Sequence, residues 1–183
     1  MNVRRIQGDT VSLCTFRTDD EAVTNYVKWM ADQSTLNMLG SPVTVQTFTS
    51  EKKWAETVAV DRKDLHFNIV VNATDTLIGN CDIDVSSIHR DAGIGILIGD
   101  KSSRGCGYGT EVMRLMLKFC FEELNTHRVH LSVRADNTAG IKCYTKVGFT
   151  VCGRESETVW YGGKWHDTLR MEILEQNYFE RMA

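Results

Sequence analysis

The run Arg104-Gly-Cys-Gly-Tyr-Gly109 constrains the fold most, because it separates the strand-like stretch Gly93 to Gly99 from the helix-like stretch Thr110 to Leu124. Gly105, Gly107 and Gly109 carry no Cβ, so the chain can turn through positive φ and converge several N–H groups on one anion. A helix starting at about Gly109 adds its unpaired N–H groups and positive dipole end at the same place. The order strand, glycine loop, helix predicts an α/β chain with a pocket for a phosphate-bearing cofactor. The plainer alternative is a glycine connection that only turns a corner.

Spacing excludes two common phosphate loops. A dinucleotide fingerprint needs a glycine where Thr110 stands, and a P-loop needs a terminal G-K-[ST] that is missing here.

A second segment points the same way. After the strand-like residues 128 to 135 comes Asn137-Thr-Ala-Gly-Ile-Lys-Cys-Tyr-Thr-Lys-Val-Gly-Phe149. Asn137 is a good N-cap and Gly148 a good C-terminal stop, so residues 137 to 147 read as a short helix. Helical spacing places Asn137, Ile141 and Tyr144 on one side, presenting an amide and a phenol to whatever the helix packs against.

On these residues the chain resembles the GNAT superfamily of acyl-CoA-dependent N-acetyltransferases. The likeness lies in R-x-x-G-x-G at Arg104 to Gly109 and N-x-x-x-x-x-x-Y-x-K-x-G-F at Asn137 to Phe149, separated by one helix and one strand. It extends to the branch holding ribosomal-protein alanine, spermidine and some aminoglycoside N-acetyltransferases, through the stretch before Gly109 and the long hairpin after Phe149. Residues 30 to 65 match least, and substrate reading is expected there.

The resemblance implies an α/β (α+β) GNAT fold: a mixed, mostly antiparallel sheet of about seven strands, helices on both faces, and a central strand pair that splays after a bulge. Acetyl-CoA is the implied co-substrate, with no metal. Its pantetheine arm would add to the free edge near Leu97, Ile98 and Gly99. Arg104, Gly105, Cys106, Gly107, Tyr108, Gly109 and Thr110, with Asn137, Gly140, Tyr144 and Lys146, complete the implied cofactor site. Transfer is direct, without an acyl-enzyme, and Tyr144 is the implied general acid. Its alternative role is an amphipathic helix tyrosine capping the core. For Asn137, a simple N-cap is compatible with cofactor contact.

Elementary acid–base chemistry fits. A lysine-like or polyamine nitrogen costs about 4 to 5 kcal/mol to deprotonate at pH 7, a peptide α-amine only about 1, so a polyamine acceptor needs more help from a base. A tyrosine with an ordinary pKa near 10 is still protonated at neutral pH and can donate to a departing sulfur. For the base, Asn80, Asp82 and Asp84 alternate onto one strand face opposite Cys81, Ile83 and Val85. Asp82 and Asp84 either overhang the acceptor channel or form a solvated face. His66 and His89 are further candidates, each also an ordinary histidine of core or surface.

The 183 residues and 42% apolar content suit a single domain, 1–183, with one sizeable core. The N-terminus shows no signal peptide and no apolar run approaches the roughly 20 residues of a membrane span, so a soluble, cytoplasmic chain with no membrane partner is expected. The net charge of −3 argues against a nucleic-acid binder. Six cysteines without a C-x-x-C pair indicate neither zinc nor redox motif. Cys106 lies in the loop, where no neighbouring His or acid would activate it as a nucleophile.

Expected elements are a strand 3–16, helices about 19–32 and 48–60, strands 65–72, 76–85 and 91–99, helix 109–124, strand 128–135, helix 137–147 and a hairpin 149–174. Pro42 falls between the first two helices. In the long helix Val112, Met113, Met116, Leu117, Cys120 and Leu124 form the apolar stripe, with Glu111, Arg114, Lys118 and Glu122 facing solvent. Trp29, Trp54, Trp160 and Trp165 could wall an acceptor pocket or an oligomer contact, core packing being the default for all four; the Gly162-Gly163 turn places Trp160 and Trp165 near each other, and the resemblance implies a homodimer or higher homo-oligomer through the C-terminal strands. The acceptor is left open among a small-molecule or peptide amine: protein N-terminus, polyamine, aminoglycoside or amino sugar. A non-catalytic acyl-CoA-binding sensor is the alternative of another class.

Overall fold

The computed structural model describes residues 2–40, 45–61 and 64–182. Pro42 lies outside the described residues. One sheet of eight strands runs through the molecule in the order β1-β2-β3-β4-β5-β6-β8-β7. Its strands are β1 Arg4–Gln7, β2 Val11–Thr15, β3 Asp64–Val71, β4 Thr76–Ser86, β5 Asp91–Ile98, β6 Arg128–Arg134, β7 Thr150–Tyr161 and β8 Lys164–Leu174. The helices are α1 Asp20–Met30, α2 Gln33–Leu39, α3 Phe48–Val60, α4 Tyr108–Lys118, α5 Thr138–Val147 and α6 Glu175–Met182.

Every ladder is antiparallel except β5–β6, as the tight links and the single helical crossover require. That parallel pair is short: only Asp91, Ala92 and Gly93 meet Arg128, Val129 and His130. Beyond Gly93 the two strands separate, leaving one side of residues 94–98 without a ladder partner. The bulge expected at this point is not in the β4–β5 ladder, which runs in register from Gly79 to Ser86; a register shift lies instead between Ile69 and Val70 of β3.

Alternation along the strands builds two cores. Leu13, Ile69, Cys81 and Ile83 join Val112, Met113, Met116, Leu117 and Phe149 on one face. Cys14, Phe16 and Val70 join Tyr26, Trp29 and Ala55, from α1 and α3, on the other. Burial of each large apolar side chain of α4 contributes about 1.5–3 kcal/mol, which fixes the helix and thereby the loop in front of it.

Three expectations change. The strand 3–16 is a hairpin, since the Gly8 N–H donates to Val11 O at 3.0 Å and turns β1 back on β2. Helices α2 and α6 were not anticipated. Glu111 does not face solvent: its carboxylate accepts from the main-chain N–H and the hydroxyl of Thr10, tying α4 to that turn. The long helix also widens after Lys118 into a π-helical turn, Phe119–Glu123.

Candidate active site

The gap between β5 and β6 is a cleft of about 840 Å³, toward the upper end of the roughly 300–1,000 Å³ typical of small-molecule sites. Ile94 to Ile98 form one wall, Leu131 to Arg134 the other, and the loop before α4 closes one end with Ser103, Arg104, Gly105, Gly107, Gly109 and Thr110. Asn137, Gly140, Tyr144 and Lys146 of α5 line it, and Met38, Leu39 and Gly40 of α2 reach its rim.

The loop turns through positive φ at two of its three glycines, whereas Gly109 is already helical, inside the first turn of α4. Gly105 and Gly107 sit at φ +77° and +89°, and no heavy atom lies within 4 Å of where a Cβ on either would stand. Gly107 caps α4 without a side chain, and the first intrahelical bond comes from Thr110 N to Gly107 O at 3.0 Å. The N–H groups of Tyr108 and Gly109 precede that bond and are left for a ligand. An open backbone cradle at a helix start fits a phosphate group, the dipole adding about 0.3–1 kcal/mol.

Arg104 is committed elsewhere. Its guanidinium donates to Ile98 O at 2.9 Å, Gly99 O at 3.0 Å and Thr35 Oγ1 at 2.8 Å, pinning the end of β5 to α2. Arg104 still lines the cleft, whereas three of the expected cofactor contacts do not. Gly99 turns away: its N–H donates to Ile78 O at 2.9 Å, and a Cβ on it would stand 2.1 Å from Trp29 Cδ2. The Cys106 side chain is exposed, with Sγ 3.7 Å from Ser102 O. Tyr108 packs against the core.

Asn137 caps α5, its Oδ1 accepting from Gly140 N at 2.9 Å. Tyr144 stands edge-on to Phe149 at 6.2 Å. Burial, reinforced by the neighbouring Cys143, pushes its phenol up to about 12. Among the described residues its hydroxyl has no hydrogen-bond partner.

A second cavity of about 360 Å³ opens on the α1–α3 face. Tyr26, Trp29, Met30, Leu39, Trp54, Ile96 and Leu97 make its apolar walls, and Gln46, Glu51, Asn80 and Asp82 its polar ones. Leu39, Gly95, Ile96 and Leu97 line both cavities, so the two meet at β5. Asp82 pairs with Gly95 across the β4–β5 ladder, at that junction. Desolvation raises the Asp82 pKa, His66 opposing it and Asp64 and Asp84 adding to it.

Asp84 does not join. Although on the same strand face, it is exposed and lines neither cavity. His66 pairs with Asp82 across β3–β4 but does not line the cavity, and His89 is exposed in the β4–β5 turn. Glu51 was missed by sequence reasoning. It is 5% exposed on α3, and desolvation raises its pKa. The available signal was its position one helical turn from the buried Ala55, a core phase for a charged residue.

Residues 3–150 match the family described as Acetyltransferase (GNAT) domain. A spermidine N(1)-acetyltransferase of Vibrio cholerae is 30% identical over 125 residues, covering 65% of this chain and 72% of the relative. An L-amino acid N-acetyltransferase of Escherichia coli (strain K12) is 30% identical over 125 residues, covering 67% and 75%. Among solved structures, spermidine N-acetyltransferase from Vibrio cholerae in complex with CoA and spermine superposes with a TM-score of 0.81 at 21% identity, covering 94% of this chain and 99% of that one.

Proposed function

This chain belongs to the GNAT acetyltransferase family and is an N-acetyltransferase, and we propose that the cleft between β5 and β6 takes acetyl-CoA while the second cavity takes the amine. The observation that carries the assignment is the junction at Gly95, Ile96 and Leu97, where the two cavities share a wall.

The bound co-substrate supplies an acyl thioester and a sulfur leaving group. The chain supplies the rest. The side of β5 that lacks a ladder partner between Ile94 and Ile98 offers main-chain groups to an extended arm, in the manner of strand addition, the Ile98 carbonyl alone being taken by Arg104. The loop amides and the start of α4 hold the phosphate end, and Arg104 holds the loop. Asp82 accepts the proton that an incoming ammonium must lose, through a water. Tyr144 keeps its proton at neutral pH and donates it toward the departing sulfur. No acyl-enzyme is needed, and Cys106 points away from the cleft.

The acceptor is a primary amine on a small molecule or peptide, with residues of α2 and α3 reading it. An acetyl-CoA thiol-release assay across N-terminal peptides, polyamines, aminoglycosides and amino sugars tests the assignment. Turnover with at least one class is expected; release with none of them contradicts it.

The chain acts as one domain and assembles as a homodimer through the β7–β8 hairpin. Trp160 and Trp165 pair across its strands, each 53% exposed, with ring centroids 5.2 Å apart on the strand pair that ends the sheet. Sedimentation should give twice the 20.7 kDa chain mass; a monomer rejects this contact. Among the described residues no helix is long and apolar enough to cross a membrane.

A further inference from the structure

One buried titratable group beside the cleft has no place in the reaction. His166 of β8 is 8% exposed, and both of its ring nitrogens meet acceptors: Nδ1 stands 2.9 Å from Asp136 Oδ2, and Nε2 stands 3.1 Å from the Tyr161 carbonyl oxygen. A neutral imidazole has a single N–H and would turn a lone pair toward the carboxylate or the carbonyl. Only the imidazolium serves both. Asp136 is shared with Arg134, whose Nε and Nη2 donate to its two oxygens at 2.8 and 3.0 Å. Arg134 holds the Asp136 carboxyl below the usual carboxylate range, and His166 adds to the effect.

From Arg134 the contacts run on to α2. Its guanidinium donates to Asn37 O and lies 4.7 Å over the Tyr161 ring, while Asn37 Nδ2 donates to the Tyr161 hydroxyl at 2.7 Å. The circuit closes at His166, whose ring lies 5.6 Å from that of Tyr161. The result is a roof, with the end of α2 crossing to the hairpin. Val159, the cross-strand partner of His166, has Cγ1 3.6 Å from where a Cβ on Gly40 would stand. Gly40, Arg134 and Val159 line the cleft, and Leu39 lines both cavities, so the roof reaches their junction. Around the ring, β6 brings Arg134, the link to α5 brings Asp136, and β7 brings the Tyr161 phenol. On β8 itself Asp167 is held by Arg154 and the Glu157 N–H, and α2 carries no charged residue.

We propose that His166 is a positioning residue for the transfer: as an imidazolium it latches the end of α2 to the β7–β8 hairpin over the junction, and the latch opens when the ring gives a proton to solvent. With one nitrogen bare, Asp136 or the Tyr161 carbonyl faces a lone pair, and the circuit that carries Asn37 loosens. The closed roof keeps Leu39 in place between the two cavities.

This inference rests on the reaction being placed at that junction, and the test separates the two. In the CoA-loaded protein the His166 ring nitrogens are followed by NMR as pH is raised, together with amide exchange of α2 and, for comparison, of α6. Turnover is measured with the best amine of the four classes above. Exchange across α2, corrected for its intrinsic pH dependence, should quicken about tenfold at the pH where the ring loses a proton, the scale of one charged hydrogen bond, and α6 should not follow. His166→Gln should show the faster α2 exchange throughout and about tenfold lower turnover. His166→Lys, which keeps a charge, should hold α2 at pH values where the wild type has let go. Protection of α2 that ignores the ring, or that survives in His166→Gln, overturns the latch; α2 as open in the lysine variant as in the glutamine one overturns the role of charge. If His166→Gln is unfolded, α6 exchanges freely as well, and the wild-type titration decides. Exchange that follows His166 while turnover is the same in His166→Gln overturns its service to the transfer. Wild type that acetylates none of the four classes overturns the reading of the site, and the exchange data still decide the latch.

Discussion

The Asp82 carboxylate occupies the space that a side chain on Gly95 would fill: Oδ1 lies 2.6 Å from the ideal Cβ position of its cross-strand partner. The absent side chain opens the wall between the two cavities and lets the acid lean over it. Gly95→Ala should therefore push Asp82 aside. Overpacking of this kind costs about 1–3 kcal/mol of stability, and with the acid moved off the junction kcat/KM should fall about 10- to 100-fold, part of what a positioned base contributes. Steady-state kinetics check this, and wild-type kinetics in the variant would contradict it.

With the proposed roles, Asp82 and Tyr144 should set the pH profile of the chemical step. Burial raises Asp82 above its ordinary value of 3.8, so the ionised form that accepts a proton is lost at a higher pH than for a solvated carboxylate. The acid limb of kcat/KM should lie above that value and be absent in Asp82→Asn. Tyr144, pushed up to about 12, should contribute no alkaline limb below about pH 11.

Glu51 is a cost to the free protein. Its folded pKa is raised, so the penalty is absent below the unfolded value of about 4.3 and is complete above the folded value. Stability consequently falls as pH rises through that window. Glu51→Gln should melt about 2–4 °C higher than wild type at pH 7, the equivalent of about 1 kcal/mol in a chain of this size, and the difference should vanish near pH 4. Melting scans at both pH values decide it; a lower melting temperature for the variant at pH 7 would contradict the account.

Arg104 braces rather than grips. Arg104→Ala frees Ile98 O, Gly99 O and Thr35 Oγ1 together. It should lower the melting temperature and weaken CoA binding together, each lost charged hydrogen bond being worth about 1.5–3 kcal/mol. Weaker CoA binding with an unchanged melting temperature would place the guanidinium on the ligand instead.

What could be read from the sequence was mostly local chemistry. Gly105, Gly107, Asn137 and Gly148 announce their backbone roles because few other residues tolerate positive φ or cap a helix so well. The Gly162-Gly163 turn likewise set the Trp160–Trp165 pair. What escaped was tertiary cover. Alternation put Asp82 and Asp84 on one face, but where α1 and α3 stop covering that face is not written in the strand. A charged residue in a helix reads as solvent-facing, so Glu51 was missed; its burial in the lining of the second cavity makes it a site residue. Arg104 looked like an anion ligand until α2, itself unanticipated, supplied Thr35 as a partner.

In the proposed reaction the Tyr144 phenol, which lines the cleft, serves the departing sulfur. Tyr144→Phe removes one oxygen and leaves the ring against Phe149. Single-turnover acetyl transfer, with CoA affinity measured on the same samples, tests it most directly. The account predicts a rate lowered by about 10²-fold or more with nearly unchanged CoA affinity; an undiminished rate would contradict it.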